Sequence, residues 1–562
     1  MNKKLRAVIA VILAVITAAS LFSVIASAGY FSEELPIVYV LGKVDVLYED
    51  QDGDPNDQNN LTLYPVSIDD IDISVMGPIL KSYGEAFSKE YLEATATEQD
   101  KLDAWDAYGN ELYGLVGQIW AKIAMDENGD PRGNSGICWD WNKNYRDYHD
   151  GRIDLETYKE RLYDEEEPIL EEKQDVFGRY ALYDYTFHYD WRRDMYSIAE
   201  QLNQYIDDVL EVTGKDKCVL ISRCYGCNVV AAYLDEYGCD KVETNIIYCS
   251  TAAGSIVTSE MFSGNFQLSP EGMANYLDGF LFGEDQNLIS SIIASNVELG
   301  PDSFDTIAGV VNKIYSRISH TMMPKTLITS FASMPGYWCM VEEAYYKDAK
   351  NFVFGDEQSG KYRKLVDKID AYHYTVTNNA VDIFVDAHEK GMNYANITKY
   401  GTNLAPMIES YDYLADGIVE VPNASFGATA GLNSDRFDSA YLNNAIADGS
   451  IFYINDEATI DASTCVYPDY TWFAEGIDHF DFPESVDKLL IAISRFDGQM
   501  TVFDDPNFPQ FTKYKGEGNL LTWAGGLYIN NSRDATAALL KRLIGIFSKI
   551  FSILGSIFSR GN

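Results

Sequence analysis

The run "CVLISRCYGCN", Cys218 to Asn228, places a cysteine where an apolar stretch gives way to helical periodicity. A nucleophile at a strand-to-helix turn is lifted above the sheet by the sharp backbone. The helix N-terminus then offers N–H groups to a developing oxyanion. Such a turn is crowded, so the residues two before and two after the nucleophile must be small. Here they are Ser222 and Gly226, flanking Cys224. The pattern matches G-x-S-x-G, with serine in the first glycine position and cysteine as the nucleophile. An unperturbed thiol, with a pKa of about 8.5, is already a few per cent thiolate at neutral pH. Cys227 follows three residues later and is small enough to serve as packing. Residues so spaced also bring their Cα atoms to about 5–6 Å, within disulfide range, which makes Cys227 a candidate redox partner for Cys224.

The elements that must position this turn are legible on either side of it. "LPIVYVLGK" reads as a buried strand ending at Gly42, and "YALYDYTFHYDWRRD" contains a second. From about Asp194, Met195, Ile198, Ala199, Leu202, Tyr205, Ile206, Val209 and Leu210 fall on one helical face. "CVLIS" is the next strand, "YGCNVVAAYLDEYG" a helix, and "KVETNIIYCST" a further strand. This alternation predicts an α/β fold, a mostly parallel sheet with helices on both faces. Residues 45–175, polar and rich in tyrosine, read as a large insertion. Residues 255–390, mostly amphipathic helix, read as a helical cap.

Four pieces carry a family resemblance: "FHYDWRRD" (187–194) before the amphipathic helix, the elbow itself, "YCSTAAGS" on the next strand, and "SMPGYW" (333–338). On these the chain resembles the α/β-hydrolase fold, and within it the lecithin:cholesterol acyltransferase-like lipases and acyltransferases. That family uses serine where this chain has Cys224, although cysteine nucleophiles occur in other α/β hydrolases such as dienelactone hydrolases. The resemblance implies the chain order nucleophile, acid, histidine. It puts the acid at Asp416 in "LADGIVEVPNAS" and the base at His479 in "GIDHF", with Asp412 and Asp478 as alternative acids. His479 is the only histidine after Asp416. The resemblance also implies an oxyanion hole from the N–H of Tyr225 and that of Lys43 or Val44, with Gly42 allowing close approach. Asp190, Trp191 and Arg192 read as braces of the core.

The implied chemistry is thioester acyl-enzyme formation on Cys224, with His479 oriented by Asp416, followed by transfer to water or an alcohol. Expulsion of an amine would need well-timed protonation, so ester, lactone or thioester substrates are favoured, lipids among them. No cofactor is expected. Two other classes fit parts of the sequence: a catalytically silent binding or surface protein on the same fold, and a disulfide oxidoreductase using Cys224 and Cys227.

The rest of the chain bounds these readings. Of 562 residues, 86 are acidic and 43 basic, giving a net charge of −43 that repels phosphate backbones and argues against nucleic acid. The six histidines form no close pairs, and the acidic turns "EDQDGDPND" and "DENGDP" put proline where an EF-hand loop needs glycine. Cys138, Cys218, Cys239, Cys249, Cys339 and Cys465 read as small core residues. Residues 1–28 have the basic flank, apolar core and "ASA" end of a secretory signal, which predicts an exported protein with its hydrolase domain over 29–530. For so long an apolar core, an uncleaved anchor is the alternative. The tail, 535–562, has a broad apolar face and a cationic edge of Lys541, Lys549 and Arg560. That predicts an amphipathic helix able to lie on a membrane surface.

Overall fold

The computed structural model describes residues 35–138, 142, 185–272, 301–514 and 522–523, with short gaps at 41, 43–45, 54–59, 61, 65–73, 75, 121, 356–359 and 482. The expected signal segment and C-terminal helix lie outside the described residues.

Eight strands form the central sheet: β1 (Ile37–Val40), β2 (Tyr185–Phe187), β3 (Cys218–Arg223), β4 (Val242–Tyr248), β5 (Asn393–Tyr400), β6 (Thr471–Glu475), β7 (Phe511–Lys513) and β8 (Thr522–Trp523). Their order across the sheet is β8-β7-β6-β5-β4-β3-β1-β2, and every pairing is parallel except β7 with β8. A mostly parallel α/β sheet was expected from the strand–helix alternation, and this is one. All six residues of β3 are buried, as a strand covered on both faces requires.

The expected amphipathic helix is α3 (Met195–Thr213), after α1 (Met76–Tyr91) and α2 (Glu98–Trp120) of the preceding segment. Its buried residues are Met195, Ile198, Ala199, Leu202, Tyr205, Ile206 and Val209. Asp194 caps its first turn by accepting from the Ser197 N–H at 3.0 Å, and Gly214 ends it at φ 66°, a conformation that favours glycine. Helix α4 (Gly226–Tyr237) follows the elbow and packs on the same face of the sheet as α3. The opposite face is covered by Val486, Leu489, Leu490 and Ile493 of the helix Glu484–Ser494. β1 lies between β2 and β3, so the chain runs outward on one side of it and on the other from β3 onward. The crevice beyond the carboxyl ends of β1 and β3 is where open α/β sheets place ligands.

Beyond the sheet, α1 and α2 pack against α6 (Pro301–Thr329) through Ala86, Trp105, Ile318 and Met322. Between α4 and α6 lies the short α5 (Ile256–Phe262), and α7 (Glu343–Phe354), α8 (Arg363–Thr375) and α9 (Ala380–Glu389) follow. Arg192, fully buried, grips Asp190 through two hydrogen bonds of 2.9 and 2.7 Å and reaches the carbonyls of Ile123 and Ser135. It thereby ties the segment before β2 to the end of β2.

Where α7 meets the loop after β5, the carboxyls of Glu342 and Glu420 lie buried and close enough to influence each other. Burial, together with the Glu342 charge, pushes Glu420 well above the usual carboxyl range, which favours its protonated form. Glu260, Tyr345 and Tyr413 also face the pair, and Asn423 donates to Glu342 at 2.8 Å. A carboxyl raised on folding stabilises fully below its unfolded pKa of about 4.3, and that contribution is lost as pH rises toward the folded value. The melting temperature of the parent relative to that of Glu420→Gln should therefore fall as pH rises above about 4.3. Parallel melting profiles for the two proteins would contradict the raised Glu420 carboxyl.

Candidate active site

Cys224 sits immediately after β3 with φ 48°, a left-handed conformation that a non-glycine side chain adopts at a cost. The turn is held by the Cys224 N–H, which donates to Tyr248 O of β4 at 2.9 Å, and by the Cys227 N–H, which donates back to Cys224 O at 3.0 Å. This backbone presents the sulfur to His479 Nε2, 3.0 Å away. On the other side of the ring, His479 Nδ1 lies 2.8 Å from Asp416 Oδ2. The second carboxylate oxygen of Asp416 accepts the N–H groups of Ile418 and Val419 at 3.2 and 2.9 Å. The His479 N–H donates to Asp416 O at 2.8 Å, so the two loops are also stitched through the backbone.

The structure thus brings Cys224, His479 and Asp416 into one hydrogen-bonded line. Of the alternative acids, Asp478 Oδ1 accepts the Phe480 N–H, and it is Asp416, not Asp412 or Asp478, whose carboxylate pairs with His479 Nδ1. Gly42, at the end of β1, lies so close to the elbow that a Cβ there would fall 2.3 Å from Arg223 O and 2.8 Å from Cys224 Cβ. The Tyr225 N–H points at the Cys224 sulfur, and its hydroxyl donates to Trp191 O at 2.7 Å. Lys43 and Val44 lie outside the described residues.

Cys227 is fully buried. Burial pushes its thiol up to about 12. All eight cysteines are free, and Cys224 alone among them is partly exposed.

The charges at the site reinforce one another. Burial pushes the Cys224 thiol up, but the charge and hydrogen bond of His479, the Arg223 guanidinium and the Tyr225 N–H together bring it below the ordinary value. Burial pulls His479 down, and the charges of Asp416 and Cys224, with the Asp416 hydrogen bond, carry it well above the usual imidazole range. Burial likewise raises Asp416, and His479, Lys399 and the Val419 N–H outweigh it, so its carboxyl is held low. A lowered thiol beside a raised imidazole favours the thiolate–imidazolium form at rest.

Three residues at the site escaped the sequence reading. Cys249, at φ 43° just past β4, was expected to be mere packing. Its polar atom and those of Asp416 and His479 all lie within 4.8 Å of one another, a donor set of a kind that also binds metal ions. Arg223 and Lys399 are buried cations on β3 and β5. For Arg223, a charge closing the apolar run "CVLIS" was the signal that could have found it; Lys399 stands among Asn396, Thr398 and Tyr400 and had none.

No family model and no curated protein matches the chain. Among solved structures it is similar to the crystal structure of the Tle4–Tli4 complex, at 12% identity over 65% of this chain and 75% of that one, with a TM-score of 0.23. The fold assignment stands on the sheet. Seven parallel strands, an elbow after β3 and helices on both faces make it α/β-hydrolase-like.

Proposed function

We propose that the protein is a cysteine-nucleophile hydrolase or acyltransferase acting on acyl esters, lipid esters among them, on the plan of the lecithin:cholesterol acyltransferase-like enzymes. The observation that carries this reading is the unbroken line from Cys224 Sγ to His479 at 3.0 Å and on to Asp416 at 2.8 Å, set on a strained strand-to-helix turn.

The Cys224 thiolate attacks the acyl carbonyl, and the tetrahedral oxyanion is received at the N-terminus of α4 beside Gly42. The His479 imidazolium gives its proton to the departing alkoxide, leaving a thioester on Cys224. Neutral His479 then takes a proton from water or an acceptor alcohol, whose oxygen attacks the thioester and restores the thiolate. Asp416 holds the ring in the tautomer that keeps Nε2 toward sulfur and stabilises the imidazolium. A CxxC exchange reaction would need an accessible Cys227 thiol, whereas Cys227 is fully buried and burial pushes its thiol up to about 12.

The thiolate pair is tested by alkylating the protein with iodoacetamide across pH. Only Cys224 is partly exposed, so one site should react. A lowered thiol is ionised at lower pH, so the rate midpoint should lie below about 8.5. In His479→Ala the offsetting charge is gone while burial remains, and the midpoint should rise to that value or above. A parent midpoint at or above about 8.5, or one unmoved by His479→Ala, would contradict the pair.

A further inference from the structure

Lys399 lies inside β5, fully buried, on a strand whose neighbours β4 and β6 are both parallel to it. Burying an ammonium is costly unless its donors are satisfied, and an ammonium has three N–H donors. Three carbonyls stand within reach of Lys399 Nζ: Asp478 O at 2.7 Å, His479 O at 2.7 Å and Asp481 O at 3.2 Å. They converge because the loop after β6 turns back on itself there, with the Asp481 N–H donating to Asp478 O at 3.1 Å. The same ammonium faces the Asp416 carboxylate and lies over the Tyr248 ring, 5.2 Å from its centroid.

We propose that Lys399 is a positioning residue for His479. It gathers the carbonyls on both sides of that residue into one fixed loop, while its charge keeps Asp416 ionised and paired with the ring. The role rests on the Cys224–His479–Asp416 reading above and adds to it a cation that touches neither substrate nor sulfur. Two loops must meet for the line to form, the Asp416 loop after β5 and the His479 loop after β6. Backbone contacts already join them through the His479 N–H to Asp416 O and the Gly476 N–H to Tyr400 O. Neither contact restrains the segment beyond His479. Lys399 does, through Asp481 O. Without it the ring is free to swing away from sulfur while the strands stay paired.

The test compares Lys399→Met and Lys399→Arg with the parent by iodoacetamide alkylation across pH, ester turnover and thermal melting. Lys399→Met should melt cooperatively yet lose turnover by about a hundredfold or more, chiefly in kcat with KM little changed. Its alkylation midpoint should rise toward that of His479→Ala, which loss of packing alone would not produce. Lys399→Arg, which keeps the charge, should restore part of both. If Lys399→Met does not fold, Lys399→Gln keeps two N–H donors for the carbonyls and drops the charge, and the same upward shift is expected of it. A folded Met or Gln variant with the parent's turnover and midpoint would overturn the proposal. Alkylation needs no substrate, so the outcomes separate. A parent with an ordinary thiol profile defeats the thiolate pair, whereas a lowered midpoint unmoved by Lys399 substitution defeats only the role of Lys399.

Discussion

Cys224→Ala should remove turnover of a short-chain activated ester by about four to six orders of magnitude, with His479→Ala causing a similar loss. The two losses should not multiply in the double variant, because sulfur without its base and base without its sulfur are equally unproductive. Asp416→Asn should be inactive by roughly four orders of magnitude while melting near the parent. The amide fits the space but offers an N–H or a neutral oxygen where the imidazolium needs a carboxylate. Asp416 accepts from Ile418, Val419 and His479 at once, so the substitution also strips one acceptor from a buried cluster. Steady-state kinetics on the four variants, with melting curves as the folding control, check the set. Full retention of turnover in His479→Ala would reject the relay, and full retention in Cys224→Ala would reject the nucleophile.

Gly42→Ala should be nearly as damaging, from a change of one methyl group. Its Cβ would sit 2.3 Å from Arg223 O and 2.8 Å from Cys224 Cβ, and the first of these is backbone that no rotamer change can move aside. The end of β1 must then draw away from the end of β3, although the strands pair from Ile37 with Val219 to Val40 with Ser222. Overpacking of this kind costs about 1–3 kcal/mol, visible as a lowered melting temperature. Turnover should fall by about a hundredfold or more, since the oxyanion would lose its fixed donors as the crevice deforms. Gly114→Ala, on α2 with nothing within 4 Å of its Cβ position, is the matched control. It should stabilise by about 0.5–1 kcal/mol and leave turnover alone. Unchanged turnover in Gly42→Ala would remove Gly42 from the site.

Local periodicity made the frame of this molecule readable. The α3 face from Met195 to Val209, its cap at Asp194 and the run into β3 depend on neighbours within a few residues, which sequence displays directly. The elbow was readable for the same reason: Ser222, Cys224 and Gly226 meet a steric demand within one turn. Asp416 and His479, 63 residues apart, came from the chain order of a resembling fold, and the structure places them 2.8 Å from each other. What lay hidden depends on which strands are adjacent. Cys249 meets His479, Lys399 meets the loop after β6, and Glu342 meets Glu420 only because β4, β5 and β6 stand side by side with the segment before α7 above them. Nothing within ten residues of any of these announces its partner. Burial then raises Glu420, whereas at Cys224 the neighbouring charges outweigh burial and depress the thiol.

The most direct test is intact-mass spectrometry of the protein after brief exposure to an activated acyl ester, in the parent and in Cys224→Ala. The parent should gain the mass of one acyl group, borne on the Cys224 peptide as a thioester and discharged by hydroxylamine, and Cys224→Ala should gain none. A parent that shows neither an adduct nor turnover, or an adduct equally abundant in Cys224→Ala, would contradict the nucleophile at the centre of this account.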